Sequence, residues 1–288
     1  MIPKTIHYCW FGGHPMTQMH HECIASWIRV LPEYPIVRWD ETNSPLDACP
    51  FVRKAVEKKR WAFVADYVRM HALVHHGGVY MDTDMLVLKS LDDLLSLEAF
   101  AGFQDRERVN AAIVGAVPHH PFWRQCLDWY DATPLEPETP QAIPRVVTPL
   151  LKQASGLQAS GFRLQEEPDD ANPESRRVVD RAGTVDRAGT PVGKPGGLKS
   201  EARQNIAGVE LFPPEFFYPW PYTKQGNWRD SVTPDSYTVH LWDASWMTLM
   251  PFHVRIKYYP GSFSALKMIS GIMPRRLKDF LKKTIFKK

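Results

Sequence analysis

The chain has 288 residues, 44% of them hydrophobic and 23% charged, with a formal net charge of +3, which suits a soluble globular protein of one large domain, or a domain with appendages, and a sizeable core. The total charge does not indicate the footprint of a nucleic-acid binder. The four cysteines, Cys9, Cys23, Cys49 and Cys126, have no metal-ligand spacing. No run approaches the ~18 apolar residues of a spanning helix, and the N-terminus lacks a signal-peptide apolar region, so reduced thiols in the cytoplasm are the expectation.

Residues 2–10 read as a first strand closed by Gly12-Gly13. Residues 19–30 have helical spacing in Cys23, Trp27 and Val30, with Pro32 beyond. A short strand is expected at 35–39 and a charged helix at 51–59. Residues 62–76 (AFVADYVRMHALVHH) predict a helix with two stripes, Phe63/Tyr67/Met70/Val74 and Ala62/Asp66/Arg69/Leu73, stopped by Gly77-Gly78. Strands are expected at 79–81, 85–88, 100–103 and 111–117. Strands alternating with helices argue for an α/β layered fold.

The middle differs. Residues 133–144 hold four prolines and read as loop. Residues 166–203 are polar, and a perfect tandem hexapeptide, VDRAGT, occupies 179–184 and 185–190. Two copies are too few for a solenoid. A mobile surface insertion at about 160–205 is the expectation, with an acceptor-binding loop as the alternative. Residues 209–220 are aromatic and proline-rich, and 237–246 read YTVHLWDASW.

The stretch GGVYMDTDMLVL at 77–88 places Asp82 and Asp84 one residue apart in an apolar run. A buried, unpaired carboxylate is costly, so such groups pair, protonate or bind metal. In a regular strand both would point one way with Thr83 opposite; a turn would change that and keep both acids at the sheet rim. Two hard oxygen ligands there suit Mg²⁺ or Mn²⁺, which leave positions open for a substrate diphosphate. In open α/β sheets that end is where ligands bind. The alternative is a solvated strand end with two incidental acids. Asp66 and Arg69, three apart on the preceding helix, share a face: either a plain intrahelical ion pair or one acceptor and one cation for a donor bearing hydroxyls and phosphates.

Taken in order, IPKTIHYCWFGG at 2–13, WAFVADYVRMHALVHHGGVYMDTDMLVLKSLDDLL at 61–95 and HLWDASW at 240–246 resemble glycosyltransferase family 32. This DXD-containing group includes capsular-polysaccharide enzymes and mannosyltransferases and, more distantly, resembles the glucosylating clostridial toxins. The resemblance spans roughly residues 1–125 and 209–247. It implies a nucleotide-diphospho-sugar transferase (GT-A) fold, a mixed, mostly parallel sheet flanked by helices. The catalytic domain would be 1–263.

The resemblance also implies roles. Trp10 would stack on the nucleotide base, the alternative being a core tryptophan. Asp66 would accept from ribose or sugar hydroxyls, and Arg69 would meet sugar or phosphate. Tyr80 would line the donor pocket. Asp82 would touch ribose and, through water, the metal, which Asp84 would bind directly. Asn110 would face sugar or acceptor, and His240 would complete the metal shell or contact phosphate. Ser245 and Trp246 would close over the diphosphate. Residues 143–148 (IPRVVT) lack the glycine that family members carry before the corresponding threonine, so the acceptor side departs from the pattern.

The implied reaction is a Mn²⁺- or Mg²⁺-dependent, retaining transfer of a hexose from a nucleotide-diphospho-sugar, with UDP preferred, to a saccharide or lipid-linked acceptor in surface-polysaccharide synthesis. With no carboxylate nucleophile evident, a front-face route is favoured over double displacement. Competing readings are a nucleotidyltransferase or phosphohydrolase, a toxin-like transferase with a protein acceptor, and a non-catalytic metal- or nucleotide-binding module.

From residue 267 to the end, eight Lys/Arg face Asp279 alone, so a tail of +7 is set against a remainder of −4. Within 264–288, Leu277, Phe280, Leu281 and Ile285 recur at helical spacing after Pro274. That pattern suits an interfacial helix on anionic lipid at the inner face of the plasma membrane; the alternative is a basic tail packed back on the domain.

Overall fold

The computed structural model describes residues 1–135, 142–156, 203–222 and 226–243. The VDRAGT repeat and most of the 160–205 insertion lie outside them, as do Ser245, Trp246 and the 264–288 tail.

A seven-stranded sheet organises the described residues. Its strands are β1 (Ile6–Cys9), β2 (Ile36–Trp39), β3 (Gly78–Met81), β5 (Ala99–Phe103), β6 (Val109–Ala116), β7 (Gln204–Ile206) and β8 (Val209–Phe212). The order is β2-β1-β3-β6-β5-β8-β7. β1 pairs in parallel with β2 and β3, and β5 with β8, whereas β6 and β7 run against their neighbours. The sheet is therefore mixed, with five strands of seven sharing a direction. A separate two-stranded ladder joins β4 (Met85–Val87) to β9 (Thr238–His240), with Met85 opposite His240.

Helices α1 (Gln18–Val30), α2 (Pro50–Glu57), α3 (Trp61–His76), α4 (Pro121–Ala132), α5 (Pro144–Ser155) and α6 (Pro214–Phe217) flank these strands. α3 packs on β1, β3 and β6 and is covered by α2 and α4. Both of its stripes are consequently buried apart from the partly exposed Ala62: Phe63, Tyr67, Met70 and Val74 on one, Asp66, Arg69 and Leu73 on the other. A helix apolar nearly all round belongs inside a core, and this one carries an acid and a base into it.

Two glycines route the chain from α3 into the sheet. Gly77 caps the helix at φ +64 and Gly78 follows at φ +92, values that side-chain-bearing residues rarely adopt. A Cβ on Gly78 would sit 2.6 Å from the Thr5 carbonyl oxygen. The reversal sets β3 beside β1 and aims Asp82 and Asp84 at the end of β3.

The main core unites Trp27, Val79, Met81, Phe100, Ile113, Phe212, Phe217 and Tyr218 with Met85 and Val87 from the small ladder. α1 fixes that ladder directly. The Trp27 indole N–H donates to the Met85 carbonyl at 2.6 Å, and the Val87 amide donates to Ser26 Oγ at 2.9 Å. Buried backbone groups of a short strand are thereby satisfied from a neighbouring helix.

The first strand starts at Ile6 rather than residue 2, and β6 starts at Val109, which places Asn110 inside it. α5 occupies a segment for which the sequence predicted no element. The aspartates do not lie in a regular strand: β3 ends at Met81, β4 begins at Met85, and a turn between them is closed by the Met85 amide donating to the Asp82 carbonyl at 3.0 Å.

Candidate active site

Arg69 is the hub of the first half of the site. One terminal nitrogen, Nη2, lies 3.1 Å from Asp66 Oδ1 and 2.9 Å from Asp82 Oδ1. The other, Nη1, donates to the Ala111 carbonyl on β6. Its guanidinium sits 4.4 Å over the Tyr80 ring, a cation–π contact strengthened by burial. The Tyr80 hydroxyl in turn donates to Asp82 Oδ1 at 3.0 Å. Asp66 spends its second oxygen on the Ile143 amide at 3.2 Å, which moors the start of α5. α5 is moored again where Thr148 Oγ1 accepts from the Val109 amide at 3.0 Å. Thr148, in the segment without the expected glycine, thus bonds to the sheet.

Asp84 organises the second half. Its Oδ2 accepts from His240 Nε2 at 3.1 Å and from the Asp243 amide at 2.9 Å. Its carbonyl accepts from the Leu241 amide at 2.9 Å. His240 stacks on Trp242 with ring centroids 3.8 Å apart, and the Trp242 indole donates to the Trp220 carbonyl at 2.7 Å.

Trp10 lies outside both clusters but is joined to the second. Its indole N–H donates to the His14 carbonyl at 2.7 Å, and its ring meets His20 edge-on at 4.9 Å. His20 Nδ1 accepts from the Thr17 amide at 3.1 Å, and its Nε2 faces Asp243 Oδ2 at 3.7 Å. Trp10, His20, Asp243 and Asp84 therefore form a continuous series. Asn110 is buried and spends its side-chain oxygen on the Ala112 amide, 3.1 Å away on its own strand.

The electrostatics follow from burial and partners. Burial pushes the Asp66 carboxyl up to about 7, against the pull of Arg69. Burial also raises Asp82, again opposed by Arg69. Burial would raise Asp84 too, but the His240 charge and hydrogen bond outweigh it and leave this carboxyl below the usual range. Burial works against the Arg69 charge, yet Asp82, Tyr80 and Asp66 hold it firmly protonated. The turn thus holds two carboxylates of opposite tendency, a pattern typical of working sites.

Asp82, Asp84 and His240 each offer one ligand atom, and these lie within 4.8 Å of one another. One oxygen of each carboxylate is engaged as described; the other makes no hydrogen bond to another described residue. His240 Nδ1 is buried and has no hydrogen-bond partner among the described residues. Two carboxylates with one imidazole fit a divalent ion of the Mn²⁺ type.

Sequence reasoning missed the Asp243 amide, His20, Trp242 and Tyr218. A backbone donor leaves no trace in residue identity. Trp242 and Asp243 lie inside the HLWDASW motif, in which the expected roles fall on His240, Ser245 and Trp246 instead. Tyr218, whose hydroxyl accepts from the Ile113 amide at 3.2 Å, was hidden in an aromatic run.

Comparison with known proteins adds independent findings. Residues 17–101 match the family model described as a glycosyltransferase sugar-binding region containing the DXD motif. The mannosyl phosphorylinositol ceramide synthase SUR1 of Saccharomyces cerevisiae is 29% identical over 44% of this chain and 34% of its own length. The lactosylceramide 4-alpha-galactosyltransferase of Mus musculus is 24% identical over 71% of this chain and 50% of its own length. The chain thus spans between a third and a half of these two relatives. Among solved structures, the PaToxG glycosyltransferase aligns with a TM-score of 0.41 at 15% identity, over 53% of this chain and 69% of that one.

Proposed function

For a chain whose residues 17–101 match the glycosyltransferase sugar-binding region containing the DXD motif, we propose a metal-dependent, retaining transfer of a hexose from a nucleotide-diphospho-sugar to a lipid-linked saccharide. The observation that carries this reading is the meeting of two buried clusters at one turn: Arg69 with Asp66 on Asp82, and His240 with the Asp243 amide on Asp84. A plain ion pair would need neither the second cluster nor carboxylate oxygens left unengaged by the described residues.

Asp82, Asp84 and His240 are the residues that would hold Mn²⁺ or Mg²⁺. Such an ion, when bound, neutralises charge on the departing diphosphate. The chain's own contributions are distinct. Arg69 is held rigidly by Asp66, Asp82 and Ala111, so its fixed positive charge favours negative charge developing nearby without reorganising. Asp66 orients Arg69 and offers its remaining lone pairs to a sugar hydroxyl. Tyr80 lines the pocket and steadies Asp82. Trp10 presents an indole for the base, Asn110 stands on β6 for the sugar side, and Ser245 and Trp246, outside the described residues, would contribute at the diphosphate. The leaving phosphate takes the acceptor's proton on the same face, giving retention.

The preference for a lipid-linked acceptor over a free polysaccharide rests on the relatives, whose names place both on ceramide-based lipids. The basic, apolar-interleaved 264–288 segment supports the same choice through attachment to an anionic membrane surface. No helix among the described residues is long and apolar enough to cross a membrane.

The test is donor hydrolysis. The full chain, given Mn²⁺ and a panel of UDP- and GDP-sugars, should release free nucleotide with one donor, and Asp84→Ala should abolish the release. Absence of both release and metal-dependent nucleotide binding would overturn the reading.

A further inference from the structure

The C-terminal half of α3 carries a second collection of chemistry-bearing side chains. His71 and His75 stand one helical turn apart, with ring centroids 4.3 Å from each other. His119, in the turn between β6 and α4, has its ring 6.4 Å from that of His75. Its backbone is left-handed, at φ +60, a conformation of some cost for a side-chain-bearing residue. It is locked there by its amide, which donates to the Val74 carbonyl at 2.8 Å. The turn is thus fastened to α3 so that His119 stands beside His75.

These rings differ from the structural histidine nearby. His7 is buried, with Nε2 facing the Gly77 carbonyl at 3.0 Å and Nδ1 accepting from the Trp39 indole at 3.2 Å. The rings of His71, His75 and His119 make no hydrogen bond or ion pair to another described residue. His75 and His119 are exposed, and His71 is half-buried edge-on to Trp39 at 6.0 Å. Burial and the neighbouring His75 and His76 disfavour a proton on His71; burial, Arg124, His76 and His119 disfavour one on His75. Arg124 is itself paired with Asp128 at 3.0 Å.

Two imidazoles at i and i+4 on one helix face can grip a single ion, the spacing used by helical zinc sites. A donor set made only of imidazole suits borderline transition metals, unlike the oxygen-rich DXD turn, which suits Mn²⁺ or Mg²⁺. We propose that His71 and His75 chelate a dication of the Zn²⁺, Cu²⁺ or Ni²⁺ class, with solvent completing the shell.

The test uses the untagged full chain carrying Asp84→Ala, so that the DXD turn contributes less metal binding. Zn²⁺ is titrated by calorimetry near neutral pH, and Cu²⁺ is followed by electron paramagnetic resonance. The expected result is a Zn²⁺ site weakened by at least about tenfold in His75→Ala and in His71→Gln, since even outer-shell losses cost metal sites that much. The Cu²⁺ spectrum should show coupling to at least two nitrogens and lose one in His75→Ala. His75 is exposed, so its removal leaves the fold intact, and donor hydrolysis by His75→Ala in the otherwise unaltered chain should match that of the unaltered chain. Zn²⁺ affinity unchanged in both variants, or a Cu²⁺ spectrum indifferent to His75, would overturn the proposal.

Discussion

His240 Nε2 donates to Asp84 Oδ2 across 3.1 Å, joining residues that are 156 positions apart. The contact exists because β9 pairs with β4, setting His240 opposite Met85, next to Asp84. It gives a first prediction. Asp84→Asn keeps the size and removes the charge, and it should cut metal-dependent nucleotide release by roughly a hundredfold or more. His240→Ala should cost about tenfold to a hundredfold, mainly through metal affinity. Initial rates across a Mn²⁺ titration separate the two: excess metal should restore most of the His240→Ala rate and little of the Asp84→Asn rate. Full activity in Asp84→Asn would defeat the assignment.

Arg69 has a structural consequence separable from catalysis. It is buried against Asp66 and Asp82, and its removal leaves two carboxylates facing each other without a cation. Arg69→Met should therefore destabilise the fold by about 3–5 kcal/mol, as expected when a buried ion pair loses one partner. Arg69→Lys should rescue little of this, because a single ammonium cannot reproduce the fork that reaches Asp66, Asp82 and the Ala111 carbonyl together. Chemical denaturation of both variants decides it. Loss below about 1 kcal/mol in Arg69→Met would show that the pair is solvated rather than buried.

Much of this arrangement was legible in the sequence, for identifiable reasons. The α3 stripes and the Gly77-Gly78 stop are local signals, and they positioned Asp66, Arg69 and the turn correctly relative to one another. The small ladder was not legible. β4 and β9 are three residues each and lie about 150 positions apart, and no periodicity reports a pairing so short and so distant. α5 was hidden by its own composition, with Pro144 at its first turn and Pro149 inside it, since proline reads as a break until a helix start is recognised. The series from Trp10 to Asp84 runs through a backbone amide, which residue identity does not encode.

Asp66 predicts a pH dependence of stability. Its carboxyl is raised from 3.8 to about 7, chiefly by burial. Between about pH 4 and pH 7 the folded chain therefore retains a proton that the unfolded chain has released. This contribution is fully present below pH 4 and is lost as pH rises through 7. Asp66→Asn is neutral throughout, so its stability relative to the unaltered chain should improve across that window, on the order of a few kcal/mol at most. Urea unfolding at several pH values measures the difference. A difference that stays flat from pH 4 to pH 7 would mean that Asp66 is ionised throughout by Arg69.

His20 offers the sharpest separation of positioning from stability. It helps cap α1, since its Nδ1 accepts from the Thr17 amide and faces Thr17 Oγ1 at 2.9 Å. It also stands between Trp10 and Asp243, whose amide holds Asp84. His20→Ala loses both functions, whereas Thr17→Ala weakens only the cap. Each should cost about 1 kcal/mol of stability, the usual value of a helix cap. Only His20→Ala should lower kcat/KM for the donor, by about tenfold, equivalent to about 1.4 kcal/mol of lost transition-state binding. The loss should fall mostly on KM, because a displaced Trp10 weakens nucleotide binding in the ground state and the transition state alike. Equal kinetic losses in the two variants would reduce His20 to a capping residue and leave Trp10 without a link to the Asp84 turn.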